Sequence, residues 1–407
     1  MLIHQRNVLP ILLVLYLLMS FDGVQGEIKL SKLEELSLEK QLKLLNKPAV
    51  KTIKTTWGDT YDCVDFYKQP AFDHPLLKNH NFHPEMKPTL STIKQTPSNS
   101  TIDISRTWIE KNGCPSGTVP IRRVTKDDLI RQRRMPSRED FIFEAPLDDT
   151  NIILEERGVN TRAIVKTPDD SRNKFAGAGM VASLWNPSVE GAQNSACRLK
   201  IQKGPDSMQA GWRVDPTLYG DNKTRLFIHF QAGDRQCFDI LCPGFVLINS
   251  EIVLNIAHEN VALQGAPHNR EITLYIVRDL TNGNWWLLYG ENQDKVGFWP
   301  RDLFTSLQND FVENVEWGGV TYTPPNSSNP PMGSGFFPEF PDPSRYAYCR
   351  GLVLLNDKGE TINAEKTLIF LDNQSLYKVL DRPYYGTGKF PHYVFYGGPN
   401  VPKEKLM

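Results

Sequence analysis

The sequence lacks the features that mark several common classes of protein. Its 46 lysines and arginines nearly balance its 47 aspartates and glutamates, and the net charge of −1 predicts attraction to neither nucleic acid nor an anionic membrane. No Cys-x-x-Cys pair with a nearby histidine supports zinc, and we expect no metal and no cofactor. No His-Glu-x-x-His spacing occurs, and Ser334 lacks the Gly-x-Ser-x-Gly setting of a nucleophile elbow.

Long apolar runs are also scarce, and the one that stands out lies at the N-terminus. Arg6 precedes an apolar run over 8–19. Val24-Gln25-Gly26 then places small or medium-sized side chains at the usual cleavage spacing. This pattern predicts a signal peptide over 1–26 with cleavage after Gly26. The run is shorter than the ~20 residues that span a bilayer, which disfavours an anchor. We therefore expect a secreted, extracellular protein that makes no membrane contact after cleavage.

Secretion changes how the six cysteines are interpreted, because most cysteines pair in an oxidising compartment. Spacing alone does not choose among the pairings. Two are close enough to close a small loop, two bracket the N-terminal region, and two are left over: Cys237 and Cys242, Cys63 and Cys114, and Cys197 and Cys349. Four sequons predict surface glycosylation, at Asn99, Asn222, Asn326 and Asn373.

Local patterns divide the remaining chain. Leucines at helical spacing over 28–45, followed by Pro48, predict an amphipathic helix that docks on the rest of the protein rather than on a membrane. Frequent prolines over 50–134 predict a small disulfide-held module. The basic stretch at 131–134 is either a protease site in a mobile loop or a solvated run of charge. An acidic linker over 144–158 follows.

The last ~250 residues carry a β pattern. Leu226, Ile228 and Phe230 alternate with residues of the opposite face, and turn residues recur at short intervals. No long helical period lies between them. The sequence therefore predicts a mainly β protein whose C-terminal part is an antiparallel β-sandwich or barrel.

Several strings together resemble the neprosin family of secreted plant proteins, whose type member is a proline-cleaving glutamic endopeptidase. In the N-terminal half, 62–77, Cys114-Pro115 and 120–123 resemble its activation peptide. The strings of the C-terminal half include Gln209-Ala210-Gly211-Trp212, Cys242-Pro243-Gly244, Gly283-Asn284-Trp285-Trp286, Glu316-Trp317-Gly318-Gly319 and Met332-Gly333-Ser334-Gly335.

The resemblance implies a domain organisation. Residues 27–158 would form a small α+β propeptide domain, and residues 159–407 a sandwich of two antiparallel sheets with the active cleft on one concave face. It also implies the disulfides Cys237–Cys242 and Cys63–Cys114. Cys349 resembles the first member of the family's last pair, but no cysteine follows it. A Cys197–Cys349 bridge and two unpaired thiols both stay open.

The resemblance places the family's two catalytic glutamates at Gln209 and Val320. Such a peptidase needs one carboxylate to take a proton from the attacking water and a second group to stabilise the oxyanion. Gln209 can donate a hydrogen bond but cannot act as a base, and Val320 can do neither. The sequence therefore predicts a pseudopeptidase that binds proline-containing peptides in the cell-wall space without cutting them.

Two alternatives stay open. The first is an active acid endopeptidase that pairs Gln209 with a relocated carboxylate at Glu316, which lies four residues before Val320 and so ~13 Å from it along an extended strand. The second is a module that binds cell-wall polysaccharide, because tryptophans on a concave β face can grip sugar rings. Trp212 and Trp317 are the candidates for the cleft wall, since each lies near one of the two positions.

Overall fold

The structure is a computed structural model that describes residues 32–55, 57–90, 93–94, 113–133, 158–258, 261–263, 265, 270–385 and 391–399. The predicted signal peptide, the sequon at Asn99 and almost all of the acidic linker lie outside those residues. The described residues divide into two compact units, with the boundary after Gln41. Within the described ranges, no helix has both the length and the apolar character needed to span a membrane.

Helix α1 (Lys32–Leu45) confirms the predicted amphipathic helix. Acidic residues in its first turn and a lysine in its last complement the helix dipole. Leu38 is buried, whereas Leu33, Leu36 and Leu44 are exposed, so the buried stripe is narrower than the leucine pattern predicts. The helix ends three residues before Pro48, where proline disfavours helical backbone in the residue that precedes it.

A small α+β module follows, as predicted. Strands β1 (Ala49–Lys54), β2 (Thr60–Asp65) and β3 (Thr118–Arg122) form an antiparallel sheet in that order. Helix α2 (Lys126–Gln132) begins at a capping box, in which the side chains of Thr125 and Asp128 each accept a hydrogen bond from the backbone N–H of the other residue. The disulfide Cys63–Cys114 ties β2 to the loop before β3, which confirms the first predicted bridge.

The rest of the described chain is a two-sheet antiparallel sandwich, as the alternating pattern predicts. Its strands are β4 (Val159–Lys166), β5 (Gly177–Ser183), β6 (Asn194–Lys203), β7 (Asp206–Val214), β8 (Arg225–Ala232), β9 (Arg235–Phe238), β10 (Val246–Leu247), β11 (Glu271–Arg278), β12 (Trp285–Tyr289), β13 (Asp294–Trp299), β14 (Asn314–Thr323), β15 (Ala347–Leu355), β16 (Thr361–Asn363), β17 (Leu368–Leu371), β18 (Lys378–Arg382) and β19 (Tyr393–Gly397).

One sheet has seven strands in the order β17-β4-β14-β6-β7-β8-β9. The other has nine, in the order β10-β13-β12-β11-β5-β15-β19-β18 with β16 paired to β15. Helix α3 (Pro216–Tyr219) lies between β7 and β8 in the chain and is capped by the carboxylate of Asp215. These two sheets place the hydrophobic core between them.

Cysteines lie both at the edge and in the centre of the sandwich. The disulfide Cys237–Cys242 confirms the second predicted bridge. Cys197 on β6 and Cys349 on β15 are buried and come from different sheets, and their sulfur atoms are 3.3 Å apart. The structure thus brings together the two cysteines that the sequence left over, and leaves both reduced.

The N-terminal module packs against the sandwich. The Gln69 amide exchanges hydrogen bonds with both backbone groups of Leu247 on β10. Asp59 forms an ion pair of 2.9 Å with Arg225, the first residue of β8. Both charged side chains are buried, so the module contacts the seven-stranded sheet, which also holds Gln209 and Val320.

Candidate functional site

Gln209 and Val320 lie on one face of the seven-stranded sheet, the face turned away from the sandwich core, which we call the outer face. On β7 the neighbours Met208 and Ala210 belong to the core cluster, so alternation directs Gln209 outward. On β14 Trp317 belongs to the core, whereas Val320 packs in a separate cluster. Glu316 lies an even number of residues from Val320 and shares its face.

Strand register decides which of these residues are neighbours. Gln209 pairs with Lys200 on β6, and Lys200 pairs in turn with Glu316 on β14. On the other side Gln209 pairs with His229 on β8. We call these four residues the polar row. Because neighbouring strands are about 4.8 Å apart, the backbones of Gln209 and Glu316 lie about 10 Å apart, directly across β6.

Val320 is not part of that row. It pairs with Ala196 on β6, and Ala196 pairs with Arg213 on β7. Arg213 lies four residues beyond Gln209, or about 13 Å along the strand. The register therefore puts Glu316, and not Val320, directly across β6 from Gln209.

Gln209 is fully buried and held by one side-chain contact. Its Nε2 is 3.3 Å from Nδ1 of His229, while its Oε1 makes no hydrogen bond within the part of the chain that the structure describes. Lys200 is only 3% exposed, although it lies on the outer face. The polar row is therefore largely buried, with Glu316 its most exposed member at 8%.

Glu316 is held between two arginines of the same face. Its Oε2 accepts a hydrogen bond of 3.0 Å from Arg198 on β6, and its Oε1 is 4.0 Å from Arg162 on β4. Arg162 is itself fixed by two bonds to Asp372 and lies 4.2 Å above the ring of Phe370. The carboxylate is therefore held in a fixed position between two guanidinium groups.

An apolar cluster covers the other end of the outer face. Val320 packs there with the side chains of Ala196, Leu218, Tyr219, Phe227, Phe238 and Leu241. Helix α3 supplies two of them, and the ring of Phe238 lies 4.5 Å from that of His229. A valine at position 320 fits this apolar surrounding, where a carboxylate would lose hydration.

A buried acid lies beside this cluster. Asp239 accepts a hydrogen bond of 3.1 Å from the Tyr219 hydroxyl and one of 3.0 Å from the backbone of Ile228. Burial raises the pKa of Asp239 to about 7. Nearby, burial and then the positive charge of Arg225 lower the pKa of His258 to about 4. Both groups are therefore predominantly neutral in the folded protein at mildly acidic pH.

The two tryptophans expected in the cleft wall lie elsewhere. Trp212 and Trp317 have no exposed surface. The indole nitrogen of Trp212 donates to the carbonyl of Ser183, and that of Trp317 to the carbonyl of Gly179, both on β5 of the other sheet. This corrects the expectation, because odd-numbered offsets from Gln209 and Glu316 direct both rings into the core.

Sequence reasoning missed the partners on β6, although a signal for them exists. Gly204-Pro205 separates β6 from β7, and Gly204 has a positive φ of 53°, as two-residue hairpin turns require. A hairpin closed there fixes the register and puts Lys200 opposite Gln209. Of the predicted glycosylation sites, Asn222 and Asn326 are exposed, and Asn373 is partly buried.

Two family profiles match this chain. The profile described as Neprosin matches residues 191–399, and the profile described as Neprosin activation peptide matches residues 52–147. The chain belongs to the neprosin family. The two matches agree with the resemblance seen in the sequence and cover both the N-terminal module and most of the sandwich of this neprosin-family protein.

Solved structures resemble it more distantly. One is a crystal structure of Scytalido-glutamic peptidase with a peptide-based transition-state analogue, at 10% identity and a TM-score of 0.33, covering 59% of this chain and 97% of that one. Another is SCP-B, a member of the Eqolisin family of peptidases, in complex with the tripeptide Ala-Ile-His, at 11% identity and a TM-score of 0.33, covering 58% and 96%. A third is the Ruminococcus gnavus IT-sialidase CBM40, at 11% identity and a TM-score of 0.20, covering 42% and 92%.

Proposed function

We propose that this neprosin-family protein is a secreted acid endopeptidase whose catalytic pair is Gln209 and Glu316. The observation that supports it is the polar row, in which the two residues face outward at the same level across a single strand. Membership of a glutamic-peptidase family supplies the reaction class. The proposal replaces the pseudopeptidase predicted from Gln209 and Val320, because the base is sought at Glu316.

Each member of the pair has a distinct role. Glu316 takes the proton of the attacking water as that water adds to the peptide carbonyl, and then gives a proton to the leaving amine. The Nε2 of Gln209 donates a hydrogen bond to the oxyanion that forms. Arg198 positions Glu316 through its 3.0 Å contact. The leaving amine and the new carboxylic acid complete the hydrolysis.

The proposed catalytic pair is buried in the full-length chain. Gln209 and His229 have no exposed surface, and no substrate carbonyl can reach them without movement of the parts that cover them. We therefore expect activity to require removal or displacement of the activation-peptide region. Proline-containing peptides are the proposed substrates, on the strength of the family alone.

The test is hydrolysis of an internally quenched, proline-containing peptide by the purified secreted protein between pH 3 and 7. We expect turnover in the acid part of this range, and a loss of ~10²–10⁴-fold in Glu316→Gln, because removal of a general base costs about that much. Glu313→Gln is the matched control, since Glu313 pairs with Lys203 instead. Undiminished turnover in Glu316→Gln would exclude this residue as the base.

Non-catalytic peptide binding is the second candidate. It is favoured by the ion pair between Arg198 and Glu316 and by the contact of Gln209 with His229, which engage both side chains with protein groups. A wild-type protein that binds the peptide without cutting it after loss of its N-terminal region would support this candidate. The polysaccharide hypothesis depended on Trp212 and Trp317 in the cleft wall, and both side chains are fully buried.

A further inference from the structure

A small pocket opens on the outer face beside Glu316. It is lined by two arginines, four neutral polar residues and one valine: Arg162, Arg198, Asn160, Thr161, Asn194, Thr321 and Val320. None of these lining residues is acidic. The volume of about 10 Å³ admits one water-sized group, so an end of a functional group fits and a whole side chain does not.

Arg198 has donors that its known contacts do not use. Its side chain is 4% exposed, and one nitrogen, Nη2, donates to Glu316. Within the described residues, Nε and Nη1 make no hydrogen bond. A guanidinium carries five N–H donors in a fixed plane, and buried donors without acceptors are costly. Arg198 therefore favours an additional acceptor in this pocket.

The charges around the pocket favour an anion over a neutral acceptor. Arg162 is engaged by Asp372 and approaches Glu316, and Arg198 forms an ion pair of 3.0 Å with Glu316. Each of the two carboxylates thus already has a guanidinium partner, and Nε and Nη1 of Arg198 have no acceptor within the described residues. Val320 pairs directly with Arg162 across β4 and β14 and brings no polar atom of its own side chain.

We propose that this pocket binds a carboxylate of the peptide, either an acidic side chain next to the bond that is cut or the C-terminal carboxylate of a short peptide. This proposal rests on the proposed function, which locates the substrate on the outer face. It gives Arg198 a second role: besides positioning Glu316, Arg198 would select substrates that carry a carboxylate. A carboxylate oxygen is small enough for the pocket, and charge-assisted bonds to a guanidinium are the strong kind.

The experiment compares peptides that differ in one carboxylate. Four versions of one proline-containing peptide carry Glu or Gln at the positions flanking the proline, each with a free or an amidated C-terminus. Their affinities for the purified secreted protein, freed of its N-terminal region, are measured by fluorescence anisotropy at pH 6. We expect about tenfold tighter binding of the version whose carboxylate reaches the pocket. A preference for Glu over Gln would identify the acidic side chain as the bound group, and a preference for the free over the amidated C-terminus would identify the terminal carboxylate.

Matched variants add a carboxylate to the protein itself, either inside the pocket or outside it. Val320→Glu supplies an internal carboxylate and should abolish the preference, whereas Val320→Gln should retain most of it. Val159→Glu adds the same charge at a site that is 59% exposed and should leave the preference intact. Thermal unfolding of each variant verifies that it folds.

Binding and hydrolysis report on different claims. Equal affinity for all four peptides, or a preference that survives in Val320→Glu, would overturn the anion pocket even if the protein hydrolyses peptides. A carboxylate preference that Val320→Glu removes would support the pocket even in a protein without turnover, and the failure would then concern only the proposed catalytic pair.

Discussion

The outer face of the seven-stranded sheet has a polar half and an apolar half, built by the same strands. In the polar half, Glu316 and Gln209 lie level with each other across Lys200. In the apolar half, Val320 packs with Leu218 and Tyr219. Glu316 and Val320 share a strand and a face, but the strand register gives them different partners on the neighbouring strand β6. Position along the strand therefore decides which side chains of the other strands each residue meets.

The two halves also bury acids in different ways. In the polar half, Glu316 is paired with a guanidinium. In the apolar half, Asp239 has its pKa raised to about 7 by burial and keeps its proton in mild acid. An acid can be removed from water either with a cation or as a neutral group. Stability, catalysis and pH dependence should each differ between the two halves.

The largest expected effect is on stability in the polar half. Arg198→Ala removes the arginine that donates to Glu316 at 3.0 Å, while Arg162 stays 4.0 Å from the carboxylate, so the free energy of unfolding should fall by about 3 kcal/mol, the low end for breaking a buried ion pair. Denaturant unfolding measures it, and Arg198→Ala/Glu316→Ala should recover part of the loss. Arg172→Ala, which breaks a surface pair with Asp170, should produce no measurable change. A similarly small change for Arg198→Ala would remove the distinction between the two sites.

The next effect is on catalysis. Gln209→Ala should lower kcat by ~10²–10³-fold, because it removes the donor proposed for the oxyanion. Gln231→Ala is the matched control, since this glutamine of β8 bonds the carbonyl of Gly233 at the strand end. Initial rates on the quenched peptide at acid pH measure both. Equal activity in the two variants would argue that the polar row is structural.

The smallest effect is a pH dependence in which two buried groups oppose each other. The pKa of Asp239 rises from 3.8 to about 7 on folding, so its contribution to stability is lost as pH rises through this window. The pKa of His258 falls from 6.5 to about 4, so its contribution is lost as pH falls. Between about pH 4 and 6.5 the folded and unfolded states then bind equal numbers of protons at these two groups, and their slopes cancel.

Single substitutions should expose each slope. In Asp239→Asn the free energy of unfolding should rise with pH by about 1.4 kcal/mol per unit across this window, and in His258→Gln it should fall by about the same amount. Urea unfolding at pH 4.5, 5.5 and 6.5 provides the measurement. Parallel pH profiles for wild type and Asp239→Asn would show that Asp239 is ionised in the folded protein.

Much of the architecture could be predicted from the sequence. The alternation of Leu226, Ile228 and Phe230 predicts β8, whose side chains at those positions enter the core. The leucine spacing predicts α1, and the two family-implied disulfides are present. These features are local or come from a resemblance over the whole chain. The exposure of Leu33 and Leu36 could not be predicted, because amphipathic spacing does not say how much of a stripe is covered.

The site was predictable only in part. Gln209 and Glu316 both stand out in the sequence, but Lys200 lies between them only because β6 is inserted between their strands. Trp212 and Trp317 are close to those positions in the chain, yet they lie on the opposite face. Proximity along a strand gives alternate faces, so sequence neighbours of a site residue are often core residues.

The amino-acid sequence by itself determined the family, the strand-rich C-terminal part and the residue types available for chemistry, because period-two patterns and motif strings are written along the chain. Tertiary structure decided that Glu316 lies opposite Gln209, that Val320 belongs to an apolar cluster, and that Arg198 reaches the carboxylate. The physical reason is that cross-strand distances depend on register and on sheet order, which join residues more than 100 positions apart.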